Sequence, residues 1–280
     1  GVLAGKMTAS NKIGAVAGME IAPVVAFAVG YCYGAPCANP DVHVLIDYTG
    51  SFDNYELGVV SAQALIAQGV DTLFAIGGEN GEGGIIYGTQ HGTWGIGVDT
   101  DWYLNPFGEG SLDGSDKLLT SAMKNLDFAV YQTIEDFING DFSSGTVTYQ
   151  LADGGVGLAP YHETDGSIPQ AAKDYVDAVK AGIVDGNIDI HASCRAEQPE
   201  YYPSFSARLS ENEVHGYGWL QGTSVTIAID DPDNGVGTDY TDTQTARVAD
   251  WDPNQTFVRF ELGSFVLEAG QLVNMSQGGI

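Results

Sequence analysis

From Asn11 to about Ile190 the chain alternates short, apolar, β-rich runs with longer helical stretches, and this alternation limits the fold more than any other feature. Lys12 to Ala17, Val42 to Tyr48, Thr72 to Ile76 and Trp94 to Val98 read as strands. The stretches between them are long enough for a crossover helix, and strands joined in this way form a parallel sheet covered by helices. Pro23 to Gly34 is predicted as a helix with its proline in the first turn, where a missing N–H does no harm. Tyr55 to Gln68 carries Val59, Ala62, Leu65 and Ile66 at helical spacing, and Gly84 to His91 reads as a short third helix. In such a sheet, ligands sit beyond the carboxyl ends of the strands.

Ser115 to Asn139 is predicted as one long helix ending at Gly140, because Leu119, Ala122, Met123, Leu126, Ala129, Val130 and Ile134 make an apolar stripe. Thr146 to Leu151 reads as a strand and Pro169 to Ala181 as an amphipathic helix. Beyond Ile190 the pattern changes to period-two runs: Phe205 to Leu209, Val214 to Trp219, Ser224 to Ile229, Thr243 to Ala249, Thr256 to Leu262, Phe265 to Glu268 and Gln271 to Met275. All six lysines precede residue 191 and all four arginines follow it. The expected organisation is therefore an α/β domain over residues 1–190, a linker over 191–198 and an all-β, sandwich-like domain over 199–280.

Charge narrows the partners. Ten Lys and Arg against 37 Asp and Glu give a formal net charge of −27, which repels nucleic acid and anionic membrane surfaces alike. No partner nucleic acid is expected. The longest apolar stretch, Ile13 to Tyr31, is broken by Glu20 and Pro23, so no transmembrane helix is predicted. The chain opens at Gly1 without a basic, apolar leader, which suits a processed extracellular or cell-surface protein whose signal peptide has been removed, or a fragment. Cys32, Cys37 and Cys194 make no metal pattern; a Cys32–Cys37 bridge and buried free thiols are both compatible with the spacing.

Enzyme signatures are missing: the five histidines are scattered, and neither H-E-x-x-H nor G-x-S-x-G occurs, so no catalysis is expected. The residues suit capture of a neutral molecule better. Gly77 and Gly78 follow the third strand at the start of a glycine-rich turn, but Glu79 and Glu82 would repel a phosphate; the turn either admits a neutral ligand or only joins strand to helix. Asp99 and Asp101 follow the fourth strand. A carboxylate there can accept two hydroxyl hydrogens, as a ribose diol requires, or can cap the next element. Phe27, early in its helix, can stack on a ring or belong to the core. Lys124 lies among apolar neighbours, so its ammonium either extends to solvent or needs a partner, ligand hydroxyls or Asp99. In the β region, Asp231, Asp233 and Asp239 are weak candidates for calcium, and a solvated acidic turn is the favoured reading. No other cofactor is expected.

Several motifs occur in one order: Lys12-Ile-Gly-Ala-Val-Ala-Gly18-Met-Glu-Ile-Ala-Pro23-Val-Val-Ala-Phe27, Asn39-Pro40-Asp41, Tyr48-Thr-Gly-Ser-Phe-Asp53, Gln68-Gly-Val-Asp71, Gly77-Gly-Glu-Asn-Gly81, Ile96-Gly-Val-Asp99-Thr-Asp101, Thr120-Ser-Ala-Met-Lys124-Asn-Leu-Asp127 and Asp153-Gly-Gly-Val156. Through them residues 1 to about 190 resemble the basic-membrane-protein family of substrate-binding proteins for ABC transporters, which includes purine-nucleoside-binding lipoproteins. The resemblance implies a type I periplasmic-binding-protein fold, lobe closure over the ligand and delivery to a membrane permease. It implies that Phe27 stacks on a base, that Asp99 and Lys124 hold a ribose, and that Gly77 and Gly78 line the cleft. The family's first lobe begins upstream of Gly1, so the resemblance covers the second lobe and the segments that return to the first; Trp102 stands where the family usually has Gln. A structural surface protein that reuses such a lobe, with the β domain joining copies into a homo-oligomer, is the alternative expectation.

Overall fold

A computed structural model describes residues 1–189, 204–219, 221–232, 237–249 and 252–277. The chain divides into two compact units, Gly1–Gln198 and Pro199–Ile280. The expected linker, 191–198, lies outside the described residues.

The first unit runs α1 (Val2–Met7), β1 (Lys12–Ala17), α2 (Ala22–Ala38), β2 (His43–Tyr48), α3 (Tyr55–Ala67), β3 (Thr72–Ile76), α4 (Gly78–Gln90), β4 (Trp94–Asp99), β5 (Leu118–Lys124), α5 (Leu126–Asn139), β6 (Val156–Leu158) and α6 (Gln170–Val184). Its sheet has the order β2-β1-β3-β4-β5-β6, parallel except for the antiparallel β6. All five residues of β3 are buried, as a central strand covered on both faces requires. Helices α3 and α4 pack together, closely enough that a Cβ at Gly58 would overlap the Asn80 carbonyl oxygen. Pro23 takes its expected place in the first turn of α2, and the Asn54 side chain caps α3 by accepting from the Leu57 N–H at 3.2 Å.

Three expectations are corrected. The helix expected over Gly84 to His91 begins at Gly78, so most of the stretch read as a glycine-rich turn is the start of α4. Ser115 to Asn139 is not one helix: Leu118, Leu119, Thr120 and Ser121 are buried consecutively as strand β5, and α5 starts only at Leu126. The break falls at Asn125, whose backbone N–H donates to the Gly155 carbonyl at 2.9 Å and whose side chain donates to the Gly154 carbonyl at 2.6 Å. The apolar spacing of a buried strand running into an amphipathic helix imitates one helical stripe. Thr146 to Leu151 is irregular rather than a strand; the edge strand is β6, after the turn.

In the second unit, β7 (Ser204–Arg208), β8 (Glu213–Tyr217), β9 (Ser224–Asp230), β10 (Tyr240–Thr245), β11 (Arg247–Ala249), β12 (Asp252–Glu261) and β13 (Leu272–Gln277) form two antiparallel sheets, β10-β9-β13 and β11-β12-β8-β7. Val225, Ile227 and Ile229 alternate inward along β9 and share one core with Val214, Val258 and Phe260 of the other sheet. The run from Thr243 to Ala249 is two strands in different sheets, and Phe265 to Glu268 is not a strand.

Candidate functional site

The carboxyl ends of β4 and β5 lie side by side, with Asp99 opposite Met123 in the parallel register. Asp99 and Lys124 are the last residues of these strands, and the Lys124 Nζ lies 2.8 Å from the Asp99 Oδ1. The same Nζ stands 4.9 Å from the centre of the Phe27 ring, carried by α2. Phe27 is itself held edge-on against Phe74 of β3, with ring centres 6.0 Å apart. A carboxylate, an ammonium and an aromatic ring from three distant stretches of sequence are thus gathered at the carboxyl end of the sheet. The expectation that Lys124 needs a partner is met by Asp99, although from a strand end rather than a helix.

Asp99 has φ +65°, in the left-handed region that costs a side-chain-bearing residue energy. The turn is tight, since the Thr100 N–H donates to the Val98 carbonyl at 2.7 Å. The two side chains of the ion pair are 38% and 53% exposed, so both groups remain in reach of a ligand. An ammonium has three donors and a carboxylate about four acceptor sites, far more than one ion pair uses. Such a pair can receive and donate hydrogen bonds to neighbouring hydroxyls while remaining neutral as a whole.

Other expected site residues do different work. A Cβ at Gly77 would stand 2.6 Å from the Gly18 nitrogen, and one at Gly78 would overlap the Phe52 carbonyl oxygen. Their bare faces are filled by backbone from the loops after β1 and β2. Asn80, which sequence reasoning did not single out, completes that junction by donating to the Thr49 Oγ1 at 2.6 Å and the Ala17 carbonyl at 3.3 Å. Asp101 has both oxygens engaged: Oδ1 accepts from the Tyr103 N–H at 3.1 Å, and Oδ2 lies 2.8 Å from His162 Nε2. Trp102 is buried, and its backbone N–H donates to Ser121 Oγ at 3.1 Å, so a core side chain stands at this position.

Of the calcium candidates, Asp233 lies outside the described residues, and the Asp239 Oδ2 accepts from the Asp231 N–H at 2.7 Å, closing a turn. Glu211, Glu213 and His215 converge, but Arg259 binds Glu213 through Nε and Nη2 and supplies the positive charge there. Cys32 is a free thiol, pushed up to about 12 by burial, so a Cys32–Cys37 bridge is not formed. Helix α5 has no buried residue; Leu126, Val130, Tyr131, Ile134, Phe137 and Ile138 are exposed, from 54% at Ile134 to 75% at Ile138. No helix among the described residues is long and apolar enough to cross a membrane.

The family model described as ABC transporter substrate-binding protein PnrA-like matches residues 1–193. The chain is 34% identical over 202 residues to the ABC transporter nucleoside-binding protein BmpA of Lactococcus lactis subsp. cremoris, a match that covers 68% of this chain and 56% of that protein. An uncharacterized lipoprotein of Pyrococcus furiosus is 32% identical over 181 residues, covering 59% of this chain and 42% of the relative. Among solved structures, an ABC transporter system solute-binding protein from Aeropyrum pernix K1 superimposes with TM-score 0.56 at 25% identity, over 67% of this chain and 62% of that one. The chain therefore spans about half the length of the curated relatives it matches. With the family model covering more than two thirds of the sequence, and the same fold in a solute-binding protein, the chain belongs to the Bmp family of PnrA-like ABC transporter substrate-binding proteins.

Proposed function

We propose that the chain carries one wall of an extracytoplasmic nucleoside-binding site, closed by a second lobe and serving an ABC permease. The observation that carries this reading is the grouping of Phe27, Asp99 and Lys124 at the carboxyl end of the sheet. Phe27 stacks on the base, Asp99 accepts from the ribose diol and Lys124 donates to the ribose oxygens. A neutral ligand is favoured because the ion pair is internally compensated. The relative from Lactococcus lactis subsp. cremoris, described as nucleoside-binding, supports the ligand class, and the lipoprotein from Pyrococcus furiosus supports the location. The uncovered apolar side chains of α5 support closure by further protein, because amphipathic helices are stabilised by packing that face.

The test is a titration of the labelled chain with adenosine, guanosine, inosine and uridine at millimolar concentration, followed by NMR. One wall of a site binds weakly, and chemical shifts detect weak binding. The expected result is a saturable shift at Phe27, Asp99 and Lys124 with at least one purine nucleoside. Silence at all three positions across the panel refutes the nucleoside reading.

A further inference from the structure

Among the described residues other than glycine, five have positive φ: Asn11, Asp99, Glu109, His162 and Asn212. Two of these, Glu109 and His162, belong to one network built on Asp101, and a third, Asp99, lies two residues before Asp101. His162 Nε2 lies 2.8 Å from the Asp101 Oδ2, and its ring stacks on Tyr103 with centres 4.1 Å apart and planes 12° from parallel. The Tyr103 N–H in turn donates to the other Asp101 oxygen, and the Glu109 N–H donates to the Tyr103 carbonyl at 2.8 Å. Left-handed residues with side chains persist only where their surroundings hold them.

The support beneath His162 is rigid. Ser115 Oγ donates to the Glu163 Oε2 at 2.8 Å, and the buried Thr164 hydroxyl lies 2.7 Å from the Tyr161 carbonyl of its own turn and 3.1 and 3.3 Å from the Leu118 and Leu119 carbonyls at the start of β5. The segment from 162 to 164 is therefore fixed to the strand that ends in Lys124. On the other side, Asp101 is only two residues from Asp99, across the tight turn closed by Thr100 and Val98. Besides Asp101, the polar or titratable neighbours of this cluster are Tyr103, Glu163, Glu109 and Ser115. Burial, with the nearby Glu163 and Glu109 carboxylates, holds the Tyr103 phenol above its ordinary value, so it stays neutral.

We propose that His162 is a positioning residue: by gripping Asp101 it locks the strained turn that presents Asp99 to Lys124 and to a ligand. The Asp101 carboxylate can only accept, so His162 donates to it through Nε2–H. The ligand part of this proposal rests on the nucleoside reading above, whereas the locking of the turn can be read without any ligand.

The experiment compares wild type, His162→Ala, His162→Gln and Asp101→Asn in the full chain. Amide exchange at Thr100 and Trp102, and the Lys124 ammonium resonance, report the turn without ligand; NMR titration with the purine nucleosides reports binding. His162→Ala is expected to speed both amides at least about tenfold relative to the rest of β4, to shift the Lys124 resonance and to weaken binding about tenfold. His162→Gln, which keeps an N–H donor for Asp101, is expected to restore all three. Unchanged exchange and an unmoved Lys124 resonance in His162→Ala, or equal affinity for a nucleoside that wild type binds, overturns the lock. Where the alanine variant does not fold, Asp101→Asn decides by the same readouts. A wild type that binds no nucleoside, with exchange responding as expected, overturns the nucleoside reading and leaves the lock standing.

Discussion

Asp99→Gly separates a functional residue from a structural one, because the structure predicts nearly cancelling effects on stability and a large effect on capture. The lost ion pair with Lys124 is short, at 2.8 Å, but its side chains are 38% and 53% exposed. Solvent screening at that exposure leaves about 0–1 kcal/mol of net stabilisation. Against this, glycine accepts φ +65° without steric cost, which recovers about 1 kcal/mol of backbone strain. Glycine also loses more freedom on folding, which costs about 0.5–1 kcal/mol. The sum lies within about 1 kcal/mol of zero, so denaturant midpoints should shift little. Binding should behave differently. Hydrogen bonds to a charged group are worth about 1.5–3 kcal/mol, so removing the acceptor weakens a hydroxyl-bearing ligand about 10- to 150-fold. Urea unfolding and nucleoside titration of the same protein check both halves. A variant destabilised by more than about 2 kcal/mol with undiminished affinity would mean that Asp99 is retained for folding, and the argument from strain would fail.

Two further perturbations probe the scaffold and the second unit. Gly58→Ala places a methyl on the Asn80 carbonyl, where neither backbone can yield easily, and should cost about 1–3 kcal/mol of stability through the α3–α4 packing; an unchanged urea midpoint would contradict the contact. In the β unit, Arg259 and then His215 hold the Glu213 carboxyl below its usual range, and burial holds His215 below its own. Both shifts mean that the unfolded chain binds more protons, so stability is fully present above the unfolded values of both groups. It is lost as pH falls through the histidine range and then the carboxylate range. Hydrogen exchange of β8 from pH 7 to 4 should show protection falling with acid, and more steeply through the histidine range in Glu213→Gln, because Glu213 is the group that favours the charged form of buried His215.

The parallel sheet was legible because each strand is a short buried run closed by a turn residue; Lys12–Ala17 and Thr72–Ile76 have the boundaries read from their residues. Where two patterns abut without a glycine or proline between them, as at Asn125, periodicity alone fails, since a buried strand shows no alternation. The partnership of Asp99 and Lys124 was named from the sequence on the cost of burying an ammonium, whereas Lys124 is 38% exposed and ends a strand rather than lying on a helix. His162 was not. Its contact with Asp101 spans 61 positions, and a lone histidine carries no spacing signal that reveals such a partner. Gly77 and Gly78 show the converse limit: a glycine pair marks close approach, and sequence does not say whether ligand or backbone makes it.

Helix α5 begins two residues after Lys124, so a helix that leaves six large apolar side chains exposed is tied by a single residue to the half-exposed ammonium. On the reading proposed above, this adjacency has an energetic consequence. Protein that covers α5 also removes water from around Lys124 and Asp99, and a hydrogen bond to a charge strengthens as the local dielectric falls. Covering α5 costs little in return, because Leu126, Val130, Ile134 and Ile138 gain by leaving water. Hydrophobic closure and polar capture would then be one event, the first supplying the driving force and the second the choice of ligand. A wall that held its ligand tightly while open would have no need of α5's apolar side chains; a wall that depends on closure needs both them and a polar pair left half in solvent, which is the combination this chain presents.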